Sequence, residues 1–454
     1  MLKVEVLLTH SNNLFSDWKQ TEKMQPYPPL QTILAASVLR ENGIGVSLFD
    51  PTLEAPGRVL AAFESSIERH QPRLVVVCED DFNFLSKMCL ARNRELAFAM
   101  ADAANRRGIP IAVHGSDATD RAGEYLRAGF FAVLIGEVEP ALLDLARHER
   151  PGELRGLIGN TARAGSADLD ALPLAAWDLL DMEQYRAAWV GAHGCFSLNM
   201  ATSRGCPYRC NWCAKPVFGQ KYHCRSPRSV AVEMLHLKRT YAPDRIWFAD
   251  DIFALSPRWT EEFAQAVSEL DAVTPFRMQS RCDLMTASTT PALKRAGCAE
   301  VWMGCESGSQ KILDAMDKGI RVEQIYAARE NLRRNGIRAC FFLQFGYPGE
   351  GWSEIEATIR MVRETQPDDI GVSVSYPLPG TVFHRNVFRA IGSRANWSDS
   401  ADLAMIFSGP YPSEFYRALA DALHIEVREG RYSQSAWDRV YRLERSASRV
   451  EAVA

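Results

Sequence analysis

Three thiols fall within eight residues, Cys206-Pro-Tyr-Arg-Cys210-Asn-Trp-Cys213. Gaps of three residues and then two let one tight loop turn three sulfurs towards one centre, as iron–sulfur ligation requires. One coordination position is left without a local cysteine. Two other chemistries compete for this pattern. A buried cysteine can serve as a small hydrophobe, although a loop of Gly, Pro, Arg and Asn is poor core material. A structural zinc site needs a fourth ligand, which His223 or Cys224 could supply, but such sites usually split their ligands into two knuckles.

Further polar groups recur downstream. Ala249-Asp-Asp-Ile-Phe253 sets Asp250 beside Asp251, able to bind a metal, accept from an ammonium group or cap a helix. Ser280-Arg-Cys-Asp283 places Arg281 and Asp283 two apart at a strand end, pointing the same way. They can orient a substrate carboxylate or hydroxyl, or pair with each other. Gly304-Cys-Glu-Ser-Gly-Ser309 carries Glu306 and Ser307, Gln344-Phe-Gly-Tyr-Pro-Gly349 carries Gln344 and Gly346, and Ser375-Tyr-Pro-Leu-Pro-Gly-Thr381 carries Tyr376 and Pro377.

These groups need strand ends to hold them. Apolar runs at 196–202, 245–249, 276–280, 300–303, 338–345 and 371–376 read as strands, with helical patterns between them. Six βα units are too few for a closed eight-stranded barrel, and their chemistry belongs on the loops at the carboxyl ends of the strands. Residues 1–150 give five more βα units, an α/β pattern that argues for an open, parallel, doubly wound Rossmann-like sheet. Ligands of such sheets bind at the carboxyl edge. The loops there are Thr9-His-Ser-Asn-Asn13, with Asn12 and Asn13, His114-Gly-Ser-Asp-Ala-Thr119, with His114, Gly115 and Thr119, and Gly136-Glu-Val-Glu139, with Gly136 and Glu137. Residues 151–190 read as a linker and 386–454 as a helical C-terminal region.

The 454 residues are 47% hydrophobic and 24% charged, ordinary for a globular protein of two or three domains. A net charge of -4 gives no general pull towards nucleic acid or an anionic membrane. No apolar run approaches membrane-spanning length. The N-terminus reads into a strand without a signal-peptide pattern, and eleven scattered cysteines suit a reducing compartment. The expected location is the cytoplasm, with no nucleic-acid partner and no membrane span.

The cysteine loop resembles the Cys-x3-Cys-x-aromatic-Cys signature of the radical S-adenosylmethionine (SAM) enzymes, with Trp212 in the aromatic place. The resemblance covers almost all of 191–385 and implies a partial (β/α)6 TIM-like barrel. It implies that Cys206, Cys210 and Cys213 hold a [4Fe-4S] cluster whose fourth iron is chelated by S-adenosyl-L-methionine, and that one electron then releases a 5′-deoxyadenosyl radical. It places Asp250 or Asp251 at the methionine amino group and Glu306 and Ser307 near ribose and methionine. It also places the Gln344–Gly349 turn under the adenine, Trp212 against it, and Tyr376 and Pro377 near cofactor or substrate.

Residues 1–150 are similar to the cobalamin-binding domain fused to many of these enzymes. Tyr27-Pro-Pro-Leu30, His114-Gly115, Ala118-Thr119 and Gly136-Glu137 carry that likeness. The Asp-x-His-x-x-Gly motif that supplies an axial histidine elsewhere is absent, which implies cobalamin bound without a histidine ligand. Cys78-Glu-Asp-Asp81 departs from the usual small and hydroxyl residues. The function implied is hydrogen abstraction from an sp3 carbon and methyl transfer from methylcobalamin to a small natural-product or lipid-like substrate, with an external one-electron donor of the flavodoxin or ferredoxin type. Oxidative cyclisation, ring contraction and hydroxylation share the architecture. A non-catalytic cobalamin or zinc sensor is the reading from another class, but neither a DNA-reading basic helix nor a dimerisation heptad is found.

Overall fold

The computed structural model describes residues 4–159, 168–213, 218–392 and 396–451. The strands are β1 (Val6–Thr9), β2 (Val46–Leu48), β3 (Leu74–Cys78), β4 (Ile111–His114), β5 (Ala132–Ile135), β6 (Gly156–Gly159), β7 (Ser197–Met200), β8 (Ser203–Arg204), β9 (His223–Cys224), β10 (Arg245–Phe248), β11 (Phe276–Ser280), β12 (Cys298–Glu306), β13 (Arg338–Phe345) and β14 (Asp369–Val374). The chain forms two compact units, one of Met1–Pro207, Lys215–Asp251 and Asn396–Ala401, the other of Tyr208–Ala214, Ile252–Ala395 and Asp402–Ala454.

The first sheet has the order β2-β1-β3-β4-β5-β6 with parallel pairs throughout. Its central strands are buried on both faces, so they are apolar runs rather than alternations. Successive side chains still part to opposite sides. Leu7, Val75, Val77, Val113 and Val133 join one core cluster with Phe63 and Met100 from the helices Val59–His70 and Ala91–Arg106. Val6, Leu8, Val76, Ala112 and Leu134 join the other with Leu39 and Leu142 from Leu30–Glu41 and Val138–Arg147. Each large side chain so buried contributes roughly 1.5–3 kcal/mol. The order reverses between β1 and β3, which puts a ligand crevice at their carboxyl ends.

Residues expected to be connector supply β6 and the helix Met182–His193. β6 is a four-residue edge strand flanked by glycines, with Leu157 exposed, so it carries no core pattern. The helix starts where Asp181 accepts from the Gln184 N–H and stops at Gly194 in the left-handed region, φ 65°.

The second six-stranded sheet has the order β14-β13-β12-β11-β10-β7. Strands succeed one another across it as they do in a (β/α) barrel, in agreement with the six units read from the pattern. Helix starts between them follow from Ser-Pro pairs: Ser226 and Ser256 accept from the N–H groups of Ser229 and Trp259, and Pro227 and Pro257 fill the first helical positions. The two-residue strands β8 and β9 pair antiparallel, an element with no sequence signal at that length. The C-terminal helices span Ser413–Arg428 and Gln434–Glu451. No described helix is long and apolar enough to cross a membrane.

Candidate active site

The cysteine loop leaves the β8–β9 ribbon through Gly205. At φ +81° this residue is in the left-handed region, and a Cβ there would lie 2.0 Å from the Lys221 carbonyl oxygen, so only glycine fits. The strand just before the loop is tied down by Asp250, which accepts from the Thr202 N–H at 3.0 Å and from the hydroxyls of Thr202 and Ser203. Burial pushes the Asp250 carboxyl up to about 6, against those hydrogen bonds. Asp250 therefore anchors the loop's approach, and its oxygens are committed there.

Arg204 follows directly. Its guanidinium is 2% exposed and pairs with Glu137 at 3.0 Å and Glu139 at 2.6 Å. Burial opposes the charges, yet Arg204 holds the Glu139 carboxyl below its ordinary range. Gln31 also donates to Glu139, and the Arg204 guanidinium stands over the rings of Phe82 and Phe218. Glu137 thus meets a protein cation. Asp251 meets another, Lys87, in a pair whose side chains are 2% and 4% exposed, while its second oxygen is buried without a hydrogen-bond partner.

The edge of the first sheet is built from its own loops. His10 donates from Nε2 to Asp50 at 3.0 Å and accepts the Asn12 N–H on Nδ1. Tyr185 donates to the other Asp50 oxygen. Asn13 spends its amide on the Pro51 and Glu54 carbonyls. The three acids after β3 each have a fold partner. Glu79 accepts from Ser11, Asp80 caps Leu30–Glu41 through the Leu30 and Gln31 N–H groups, and Asp81 accepts from Ser116. Burial raises the Glu79 carboxyl to about 7 and Asp80 to about 6. Gly115 lies against Glu79: a Cβ would stand 2.7 Å from the Glu79 Cβ. His114 donates from Nε2 to the Gly136 carbonyl at 3.0 Å, and the half-buried Thr119 donates its N–H to Gly115. Glu79 Oε2, Asp81 Oδ2 and His114 Nδ1 remain buried without hydrogen-bond partners.

In the other unit, Glu306 ends β12 at φ +61°, beside a register shift in the β12–β13 pairing. A bulky residue in that region stores strain, and such strain collects at functional sites. Its carboxylate meets Lys318 at 2.7 Å, both side chains buried. Gly304 makes the room: a Cβ there would lie 2.7 Å from both Glu306 Oε1 and Lys318 Nζ. Burial lowers the Lys318 pKa, but the charges of Glu306 and then Cys210 outweigh it and raise the group. Lys318 also faces the Trp212 ring at 5.9 Å.

Arg281 pairs with Asp283 at 2.9 and 3.1 Å, donates to the Lys318 and Gly319 carbonyls, and stacks 3.7 Å over Tyr208 in the cysteine loop. Its hydrogen-bonding edge is occupied by protein. Ser307 is fully buried against Thr358, Gln344 donates to Ser375, and the Gly346 N–H donates to Glu350. Tyr376 and Pro377 are buried at the end of β14. Trp212 packs beside Phe383 and Val387, its Nε1 without a hydrogen-bond partner.

Lys318, Arg204, Lys87 and Glu139 were not legible as site residues. Lys318 and Lys87 lie in Met316-Asp-Lys-Gly319 and Ser86-Lys-Met88, which carry no local signal. Arg204 adjoins the cysteine motif, and that adjacency was a usable clue.

All eleven cysteines are thiols, with Cys206, Cys210 and Cys213 half-buried. Among the described residues, no three His, Cys, Asp or Glu side chains converge closely enough for a single metal ion. Burial pushes the Cys224 thiol up to about 12. A cubane cluster places each thiolate on a different iron, further apart than the ligands of one ion. The donor set suits that group, with two buried cations, Lys318 and Arg281, feeling the Cys210 charge.

Residues 200–362 match the Radical SAM superfamily. The chain carries a radical SAM domain. It is 29% identical over 263 residues to the uncharacterized methyltransferase PH0819 of Pyrococcus horikoshii, covering 55% of this chain and 56% of that protein. It is 24% identical over 245 residues to the anaerobic magnesium-protoporphyrin IX monomethyl ester cyclase of Rubrivivax gelatinosus, covering 54% and 43%. The chain thus spans about half the length of the curated relatives it matches. The radical SAM methyltransferase TsrM from Kitasatospora setae, solved with cobalamin and a [4Fe-4S] cluster, superposes with a TM-score of 0.67 at 18% identity over 87% of this chain and 79% of that one. The radical SAM domain and the doubly wound sheet before it share that fold.

Proposed function

We propose that this chain is a cobalamin-dependent radical SAM methyltransferase acting on an sp3 carbon of a small natural-product or lipid-like molecule. The proposed division is a cobalamin-binding domain at 1–150, a linker at 151–190 that lends β6 to that domain's sheet, the partial barrel at 191–385 and a helical region at 386–454. The observation that carries the reading is a radical SAM domain preceded by a doubly wound sheet with buried acceptors that lack hydrogen-bond partners at its ligand edge.

When bound, the cluster with S-adenosylmethionine supplies hydrogen-atom abstraction, and cobalamin supplies the methyl group. The chain's own residues bind and orient. Cys206, Cys210 and Cys213 are the proposed cluster ligands. Lys318 presents an ammonium to the methionine carboxylate, and Glu306 accepts from ribose hydroxyls. Trp212 offers its face to the adenine, and the Gly346 turn closes beneath it. Arg281 holds Tyr208, and so the cysteine loop, in place. Glu79 Oε2, Asp81 Oδ2 and His114 Nδ1 accept from corrin amide N–H groups. His10 has both ring nitrogens engaged, so it offers no free nitrogen as an axial ligand.

The electron comes from an external flavodoxin- or ferredoxin-type protein, in the reducing cytoplasm that eleven thiols suit. Likeness to the Rubrivivax cyclase favours oxidative cyclisation as a second reading. Product analysis with candidate substrates decides between them. Gain of a CH2 unit supports methyl transfer, while loss of two hydrogens or gain of one oxygen replaces it with the second reading.

A further inference from the structure

The short helix Val382–Val387 has two unlike faces. Phe383 and Val387 are buried in one cluster with Trp212, and the Phe383 N–H donates to the Asn211 carbonyl at 2.9 Å. Asn211 and Trp212 lie between Cys210 and Cys213, so this face of the helix rests on the cysteine loop. The outward face carries Val382 (43% exposed), Arg385, and, in the turn that follows, Phe388 (64% exposed) and Arg389. His384 meets the Phe388 ring edge-on at 5.6 Å. Arg209, next to Cys210, is exposed as well. None of these three arginines is in an ion pair among the described residues, and no Asp or Glu occurs between Asp369 and Asp399.

A chain of net charge -4 thus carries three arginines outside ion pairs, with exposed Phe388, on the cysteine loop and on the helix resting against it, where the loop meets one acid, Asp317, through Asn211. Such a patch steers an oppositely charged partner and fixes its register. Weak electron-transfer encounters use small interfaces, below about 1,200 Å². An RNA would need many phosphate contacts to bind firmly, and three arginines supply few.

We propose that the outer face of Val382–Val387, with Arg209, Phe388 and Arg389, is the docking site of a small acidic one-electron carrier protein. This rests on the function proposed above. One electron leaves the reduced carrier and enters the cluster held by the cysteine loop. The carrier is oxidised by one electron, and no covalent bond changes.

The test compares wild type with R385E/R389E and F388S, using a flavodoxin as carrier. Affinity is measured by calorimetry on the protein as purified anaerobically, and cluster reduction by electron paramagnetic resonance. The docking proposal predicts that R385E/R389E weakens flavodoxin binding at least ~10-fold, that F388S weakens it less, and that added salt weakens wild type. Carrier-driven reduction falls in parallel, while reduction by dithionite is unchanged. Unchanged flavodoxin affinity in R385E/R389E overturns the proposal. So does a random-sequence RNA that binds wild type, is lost in R385E/R389E and is not displaced by flavodoxin. If dithionite yields no reduced cluster in wild type, the proposed function itself fails.

Discussion

Lys318 Nζ stands 2.7 Å from Glu306 Oε1, with both side chains buried and Gly304 leaving the space between strand and lysine. Removing one partner of a buried pair strands the other charge and costs roughly 3–5 kcal/mol. K318M is therefore expected to lose about that much stability in denaturant unfolding. The double variant E306Q/K318M should recover most of it, since neither charge is left alone. Both variants should lose S-adenosylmethionine affinity in equilibrium dialysis. A K318M protein of wild-type stability and affinity would contradict the role given to the pair.

Glu350 gives a pH signature. It is 1% exposed, accepts from the Gly346 N–H, and has a second oxygen without a hydrogen-bond partner. Burial raises its pKa from 4.5 to about 8. Between these values the folded protein holds the proton that the unfolded chain has released. This group's contribution to stability is thus full below about 4.5 and declines as pH rises towards about 8, by up to about 1.4 kcal/mol per pH unit. E350Q keeps the uncharged shape and removes this group's share of the slope, leaving that of Glu79, Asp80 and Asp250, so it should gain on wild type as pH increases. Urea midpoints at several pH values check the slope. Parallel curves for the two proteins would show that Glu350 titrates normally.

Gly205 tests the geometry of the cysteine loop. G205A combines a left-handed backbone with a Cβ driven into the Lys221 carbonyl. Backbone strain of this kind costs about 1–3 kcal/mol, and the carbonyl cannot yield without moving the β8–β9 ribbon. Thermal unfolding should drop, and iron retained after anaerobic gel filtration should fall well below wild type. Wild-type iron content in G205A would mean that the loop does not depend on this exit.

The fold was legible wherever burial made the signal strong. Runs such as Leu74-Val-Val-Val-Cys78 and Cys340-Phe-Phe-Leu343 are strands because both faces of a parallel sheet are covered. β6 escaped because two of its four residues are glycine and Leu157 faces outward. β8 and β9 escaped because two residues carry no period. In the site, the cysteine loop, Glu306 and the Gly346 turn stood out as motifs. Their partners did not. Lys318 reaches Glu306 from beyond the helix Gln310–Ala315, Lys87 reaches Asp251 across 164 positions, and Arg204 reaches Glu139 across 65. Local pattern does not encode such pairings. Arg281 and Asp283 illustrate the converse: a spacing that suits substrate binding places them in an ion pair that clamps Tyr208.

The account turns on three thiolates holding a cluster that keeps one iron open. The most direct measurement is iron and acid-labile sulfide in the anaerobically reconstituted protein, beside C206A, C210A and C213A, with electron paramagnetic resonance before and after adding S-adenosylmethionine. The account predicts about four iron and four sulfide per wild-type chain, loss of the cluster signal in each variant, and a changed signal when the sulfonium compound binds. Bound zinc with no sulfide, or a signal that survives all three substitutions, would contradict it.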